Sequence, residues 1–246
     1  GNVEDFPFLD RPLPRMIADG YQLLAELGAV DDDKQLTPIG RELAKLPLDP
    51  KIGRMILAAR DYGCLKEMLV IASALSAQDP RERPQEQAGS ADQAHAKWKD
   101  EKSEFITWLK LWKAADEVWK HETSSKQRQW CRSNFINWLR LREWRDVHGQ
   151  LQTLCNEHGW KITSAFPPSV RPEPVEVQRT SGQGLRQAQP ERTAEAPERI
   201  AQAGYDALHK ALLTGLLGHI GLKNEEDANY LGARGIKFFI HPGSAL

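Results

Sequence analysis

Apolar residues recur at intervals of three and four along most of this chain, which is the spacing of helices that bury one face. Residues 16–27 form one such amphipathic segment, and Gly28 follows it as a helix stop. A shorter segment begins at Pro38, where Thr37 can cap the helix, and ends at Pro47. The pattern therefore predicts a mainly α-helical fold.

The stretch between these two segments predicts a small β-hairpin. Residues 29–30 and 35–36 are the short arms, and three successive aspartates at 31–33 favour a turn between them. Helix, hairpin and helix in this order are typical of a winged helix. We therefore expect a partial winged-helix domain over residues 1–47.

A helical bundle is predicted over residues 48–168. All eight tryptophans lie between Trp98 and Trp160. Trp108, Trp112 and Trp119 are spaced four and seven residues apart, as residues of a buried stripe are. We expect most of the tryptophans to pack helix against helix.

Beyond this bundle the pattern changes twice. Residues 169–199 are rich in proline and glycine and poor in large apolar side chains, which predicts a disordered insertion. Helical spacing then resumes, giving a closing helix over residues 200–222. Residues 223–246 predict two strands, 229–234 and 235–240, with a turn at 234–235.

The net charge of −1 means that any nucleic-acid binding must depend on a local patch. Such a patch lies between residues 126 and 145, where six cations face the single acid Glu143 and aromatic residues are interleaved with them. Cations can hold the phosphates of a single strand while aromatic faces stack on its bases. An exposed, salt-bridged surface is an equally simple interpretation. The cations are Lys126, Arg128, Arg132, Arg140, Arg142 and Arg145.

The sequence predicts no catalytic or metal site in this chain. No GxxxxGK[ST] loop that could cradle phosphates is present, so the chain alone should not hydrolyse ATP. Cys155 and His158 have a ligand-like spacing but lack a second pair nearby, and no nucleophile elbow occurs. The three cysteines indicate reduced thiols of a cytosolic protein, and no apolar run is long enough to span a membrane.

Two motifs indicate a family. Residues 36–50 read LTPIGRELAKLPLDP, and residues 74–84 read ALSAQDPRERP. The first resembles the winged-helix tract of DEAH-box helicases, and the second resembles their ratchet signature. Residues 6–10, FPFLD, resemble the entry to the same region.

Later motifs narrow the resemblance. Residues 131–138 (CRSNFINW) and 141–151 (LREWRDVHGQL) resemble ratchet helices of the bacterial HrpA-type enzymes. Residues 240–246 (IHPGSAL) resemble the first strands of the family's OB-fold. The resemblance implies a winged helix, then a helical ratchet bundle, then the start of an OB-fold. It also implies that this chain is a fragment, because the ATPase motifs of the family are missing from it.

The resemblance carries a function with it. The parent enzyme would be a cytoplasmic ATP-dependent RNA helicase of 3′ to 5′ polarity, whose two RecA-like domains bind ATP and Mg. This chain, with no cofactor of its own, would be an accessory module that forms part of the RNA channel and couples RecA motion to translocation. The implied partners are single-stranded RNA and the RecA-like domains of the same parent chain, with no membrane.

Specific residues follow from the same motifs. Arg81 and Arg83 match positions that contact either the RecA-like domains or RNA. His148 departs from the pattern, because eukaryotic relatives commonly have an arginine there. The resemblance places Asn134 and Gln150 on the RNA path. The residues predicted to bind RNA are these two together with Arg132 and Arg145 of the basic patch and His148.

Two other functions remain open on sequence grounds. The near-neutral charge favours a protein-interaction module that docks RecA domains or activator proteins and has little RNA affinity of its own. A winged-helix transcription regulator would need a basic recognition helix. Residues 38–46 carry only Arg41 and Lys45 beside Glu42, which disfavours that reading.

Overall fold

The computed structural model describes residue 3 and residues 6–166, 195–224 and 228–240, and these residues form a mainly helical fold, as predicted. Three short strands follow the last helix. The helices are α1 (Pro14–Glu26), α2 (Pro38–Leu43), α3 (Pro50–Asp61), α4 (Leu65–Ser76), α5 (Ala88–Ala96), α6 (Glu104–His121), α7 (Ser124–Ser133), α8 (Trp138–Glu157) and α9 (Glu195–Leu216).

The N-terminal helices have the caps that the sequence indicates. Thr37 Oγ1 accepts a hydrogen bond from the Gly40 amide at 3.0 Å and donates one to the Gly28 carbonyl at 2.6 Å. This ties the start of α2 to the end of α1. The predicted hairpin is reduced to a single antiparallel bridge between Val30 and Leu36.

The main hydrophobic core lies between α3, α4, α8 and α9. Helix α4 is buried along most of its length, so it forms the centre of the bundle. Helices α3 and α9 approach each other closely at Gly215, where a Cβ atom would lie 2.5 Å from the Lys51 carbonyl oxygen. Leu208, Ala211 and Leu212 bring the closing helix into this core.

A second core cluster contains the tryptophans. Trp144 is fully buried, and its indole Nε1 donates to the Val70 carbonyl and to Ser73 Oγ, both at 3.0 Å. Trp98 is also buried, and most of the other tryptophans are half-buried against the same cluster. The predicted packing role of the tryptophans is therefore confirmed.

The C-terminal elements differ from the prediction in their boundaries. Helix α9 begins at Glu195, so residues 195–199 are helical rather than part of a disordered insertion. Pro197 lies in the first turn, where amides have no helical partner and proline is tolerated. The rest of the predicted insertion, residues 169–194, lies outside the described residues.

The short sheet also starts earlier than predicted. Strand β1 (Leu222–Lys223) pairs with β2 (Tyr230–Leu231), which pairs with β3 (Lys237–Phe238), all antiparallel. The two predicted strands are shortened because Ala233–Gly235 forms a 3₁₀ turn between them. The assignment to an OB-fold stays a prediction, and residues 241–246 lie outside the described residues.

Candidate nucleic-acid interface

Helix α7 carries three cations and no acid. Lys126 forms an ion pair with Glu122 at 2.8 Å. Arg128 and Arg132 lie four residues apart and are exposed, and neither has an ion-pair partner among the described residues. The buried Gln127 anchors this helix by donating its side-chain amide to the carbonyls at the end of α6. The helix therefore presents two uncompensated positive charges to solvent.

The aromatic and basic side chains next to α7 form one continuous row, which we call the aromatic–cation stack. Its order is Arg128, Trp138, Trp119, Arg145, Trp112 and His148. The guanidinium of Arg128 lies 5.4 Å from the Trp138 ring centre. The Trp138 and Trp119 rings stack at 4.9 Å and 23°.

The inner half of the stack is centred on Arg145. Its guanidinium lies 5.2 Å from the Trp119 ring and 5.3 Å from the Trp112 ring. The Trp112 ring lies 4.5 Å from the ring of His148. All four of these side chains are half-buried. The inner half of the row is therefore packed on the helices but remains partly exposed.

Helical spacing builds this row. Trp112 and Trp119 are seven residues apart on α6, and Trp138 and Arg145 are seven apart on α8. Seven residues are close to two helical turns, so each pair lies on one face of its helix. The two faces meet, and the side chains from one helix lie between those of the other.

An acid fixes Arg145 within the stack. Its Nη1 and Nη2 atoms both lie 3.3 Å from Asp116 Oδ1, and Lys120 contacts the other oxygen at 2.5 Å. Burial opposes ionisation of Asp116, but the Lys120 hydrogen bond and the two positive charges outweigh it and lower the pKa of the carboxyl. Arg145 is thus held by two rings and a carboxylate.

His148 forms the inner end of the stack. Burial and then the charge of Arg145 lower its pKa to about 4, and the opposing effect of Asp116 is smaller. The imidazole is therefore neutral at physiological pH. It offers a ring face and one N–H group rather than a positive charge.

Asn134 lies in a different environment, with only 7% of its surface exposed. Its Nδ2 donates to the Trp130 carbonyl at 2.7 Å, and its Oδ1 accepts from Lys97 Nζ. The neighbouring Phe135 has a positive φ of 53°, and its carbonyl lies 3.3 Å from His95 Nε2. Asn134 therefore closes the end of α7 and does not present its amide to solvent.

The remaining RNA candidates, Arg132 and Gln150, are exposed. Arg132 lies in the last turn of α7, and Gln150 lies on the solvent face of α8. The structure thus brings Arg145 and His148 together through Trp112 and gives Asn134 a separate, internal set of contacts.

The two candidates for interdomain or RNA contact have ion pairs within the chain. Arg81 contacts Glu104 at 2.6 Å and Asp79 at 2.8 Å, and its guanidinium lies 4.5 Å from the Trp108 ring. Arg83 pairs with Asp92 through two hydrogen bonds of 2.7 and 2.8 Å, while remaining largely exposed.

Arg128 belongs to the predicted basic patch, but sequence reasoning did not include it or Trp138 among the residues predicted to bind RNA. The sequence signal was present as paired seven-residue spacings of aromatic and basic residues on two successive long helices. Spacing alone does not show which helices face each other, so the stack could not be assembled without the fold.

Other site types find no support among the described residues. No group of three or more His, Cys, Asp or Glu side chains there could hold a metal ion. Cys64, Cys131 and Cys155 are buried, and burial raises the pKa of each thiol to about 11, which keeps them protonated. None of the described helices has the length and apolar character needed to cross a membrane.

Comparison with known families matches two domains. Residues 21–48 match the winged-helix helicase-associated domain (HA2), and residues 49–137 match the ratchet-like helicase-associated domain (HA2). The first covers the second half of α1 and all of α2, and the second runs from α3 to just beyond the end of α7.

Individual relatives agree with these matches. The chain is 39% identical over its whole length to the ATP-dependent RNA helicase HrpA of Escherichia coli and to the HrpA homolog of Haemophilus influenzae, spanning 16% and 17% of those proteins. It is 33% identical over 64% of its length to the ATP-dependent RNA helicase DHX33 of Drosophila melanogaster, spanning 22% of it. The chain therefore contains a winged-helix and a ratchet-like helicase-associated (HA2) domain, and its predicted resemblance to bacterial HrpA-type DEAH-box RNA helicases is confirmed.

Proposed function

We propose that this chain is the accessory module of an ATP-dependent 3′ to 5′ RNA helicase and forms part of its single-stranded RNA channel. One observation carries the proposal: exposed arginines without acidic partners lie on α7 and α8 beside the aromatic–cation stack. Phosphates supply the charge that these arginines lack, and unpaired bases have faces that stack on planar groups. ATP and Mg would be bound by RecA-like domains of a parent chain in the cytoplasm.

The RNA residues then have different roles. Arg132 is exposed and unpaired, so it is suited to a phosphate. Gln150 offers an amide to a ribose or base edge, and the neutral His148 offers a ring and a single N–H group. Asn134 and Arg145 already have internal partners, so we assign them to positioning α7 and the stack.

The rigid packing of the ratchet helices would couple this module to ATP hydrolysis by the RecA-like domains. The ratchet helices share one core with α3, which directly follows the winged-helix segment, so a displacement of either domain is transmitted through packed side chains. RecA-like domains that move against this body would then shift the bound strand. Arg81 and Arg83 remain our candidates for the contact with those domains or with RNA.

A second function is favoured by the N-terminal segment. Phe6, Leu9, Leu13 and Met16 are exposed, and α1 has no buried residue. Such an apolar surface suits protein docking. On this alternative the chain is mainly a scaffold for RecA-like domains or activator proteins, with little RNA affinity of its own.

Fluorescence anisotropy with a labelled single-stranded RNA separates the two functions. Two phosphate contacts, made by Arg132 and Arg142, predict that affinity falls roughly 7-fold between about 50 and 200 mM salt. The double variant Arg132→Ala, Arg142→Ala should bind more weakly and with a smaller salt dependence. Arg15→Ala, an exposed arginine of α1, is the matched control and should bind as the wild type does. Absence of binding at low salt would favour the scaffold.

A further inference from the structure

We infer that Arg128, lying on the ring of Trp138, is a stacking site for an unpaired nucleic-acid base. The inference rests on the proposed function and adds to it a residue and a mode of contact. It assigns the outer end of the aromatic–cation stack to the base and leaves the phosphates to the other exposed arginines.

The position of Arg128 in the stack supports this assignment. Trp138 has the Trp119 ring at 4.9 Å and the Arg128 guanidinium at 5.4 Å, so contacts within the chain already occupy it. Arg145 lies between Trp119 and Trp112, and His148 is half-buried. Arg128 is the exposed terminal member, so its guanidinium is the planar group that a further ring can reach.

Charge also favours this end of the stack. Helix α7 contains no acid, and no carboxylate forms an ion pair with Arg128 among the described residues. An arginine in a salt bridge would have to give up that partner on binding, as Arg145 would have to give up Asp116. Arg128 instead retains its full charge and its N–H donors.

The chemistry of guanidinium selects the ligand. A planar guanidinium stacks on an aromatic base, and the contact with Trp138 orders the Arg128 side chain in advance. The base must be unpaired, because the faces of paired bases are covered by their neighbours in a duplex. Every base has such a face, so the site would bind single strands with little sequence preference.

The test compares two ligands of equal charge. One is an eight-nucleotide uridine RNA, and the other is an abasic ribose-phosphate strand of the same length. Arg128→Lys keeps the positive charge but removes the planar guanidinium group. We expect it to weaken binding of the uridine strand by about 3- to 10-fold and to leave the abasic strand within about 1.5-fold. Trp138→Leu should have the same selective effect, because it removes the support of the guanidinium.

Arg15→Lys is the matched control, since Arg15 on α1 is also exposed but contacts no ring. This control variant should bind the uridine strand and the abasic strand as tightly as the wild type does. If the wild type binds the RNA but Arg128→Lys weakens neither strand, or weakens both equally, the stacking site is refuted while the RNA-binding function stands. If the wild type binds neither strand, the proposed function fails and the stacking site fails with it. Circular dichroism of each variant verifies that it is folded.

Discussion

Replacing Arg145 should mainly lower the stability of the fold, and its effect on RNA binding should be secondary to this. The guanidinium lies between two tryptophan rings and contacts Asp116, and the two charged side chains are only 23% and 25% exposed. Arg145→Ala removes all of these contacts at once. Asp116 retains Lys120, so the variant does not leave an unpaired buried carboxylate.

The expected loss of stability is the sum of the contributions of these contacts. Each cation–π contact at a partly exposed site contributes about 0.5–1 kcal/mol. The half-buried ion pair contributes about 1 kcal/mol at most, and the packed methylene stem adds a little more. We therefore expect Arg145→Ala to lower the free energy of unfolding by about 2–3 kcal/mol.

The destabilisation caused by Arg145→Ala should be smaller at acidic pH. The pKa of Asp116 is lowered in the folded chain, so its contribution is present above the unfolded pKa and is lost as pH falls through the folded value. The difference in free energy of unfolding between the wild type and Arg145→Ala should consequently become smaller below about pH 4.

Urea unfolding followed by tryptophan fluorescence measures these changes. Arg142→Ala, three residues away and exposed, is the control and should alter stability by less than about 0.5 kcal/mol. The reasoning fails if Arg145→Ala is as stable as this control, and it fails most clearly if such a stable variant also loses RNA affinity.

Three further predictions concern the core and the stack. In urea titrations, Gly215→Ala should lower the free energy of unfolding by about 1–3 kcal/mol, because the new Cβ would clash with the Lys51 carbonyl. Gly20→Ala, in open space on α1, should raise the free energy of unfolding by about 0.5–1 kcal/mol. Trp144→Phe should lower the free energy of unfolding by about 2–3 kcal/mol, measured by thermal unfolding, because two buried hydrogen bonds of the indole are lost. The depressed pKa of His148 means that stability should fall as pH drops from about 6.5 to about 4, and urea titrations of His148→Gln should show less of this fall.

Local chemistry explains what could be predicted from the sequence. The cap at Thr37, the proline at the first position of α2 and the glycine stop after α1 depend on neighbours within a few residues. Helical spacing likewise indicated the bundle and the packing of the tryptophans. Proline content misplaced the start of α9, since Pro197 lies in a first turn where it is tolerated.

The roles of the site residues depend on distant partners, and spacing could not supply them. Asn134 bonds to Lys97, 37 positions earlier, and Arg145 bonds to Asp116, 29 positions earlier. Both residues belong to a motif that the resemblance associates with RNA, yet the fold gives them internal contacts. The sequence placed Arg128 in the basic patch, but its contact with Trp138 depends on how the side chains of α6 and α8 interleave.

The most direct test of the account is to map where RNA touches this chain. A single-stranded RNA containing 4-thiouridine would be cross-linked to the 246-residue chain by ultraviolet light, and the modified peptides would be identified by mass spectrometry. The account predicts cross-links concentrated in α7 and the first half of α8, and their loss at about 1 M salt. Cross-links confined to the winged-helix segment, or none at all, would contradict it.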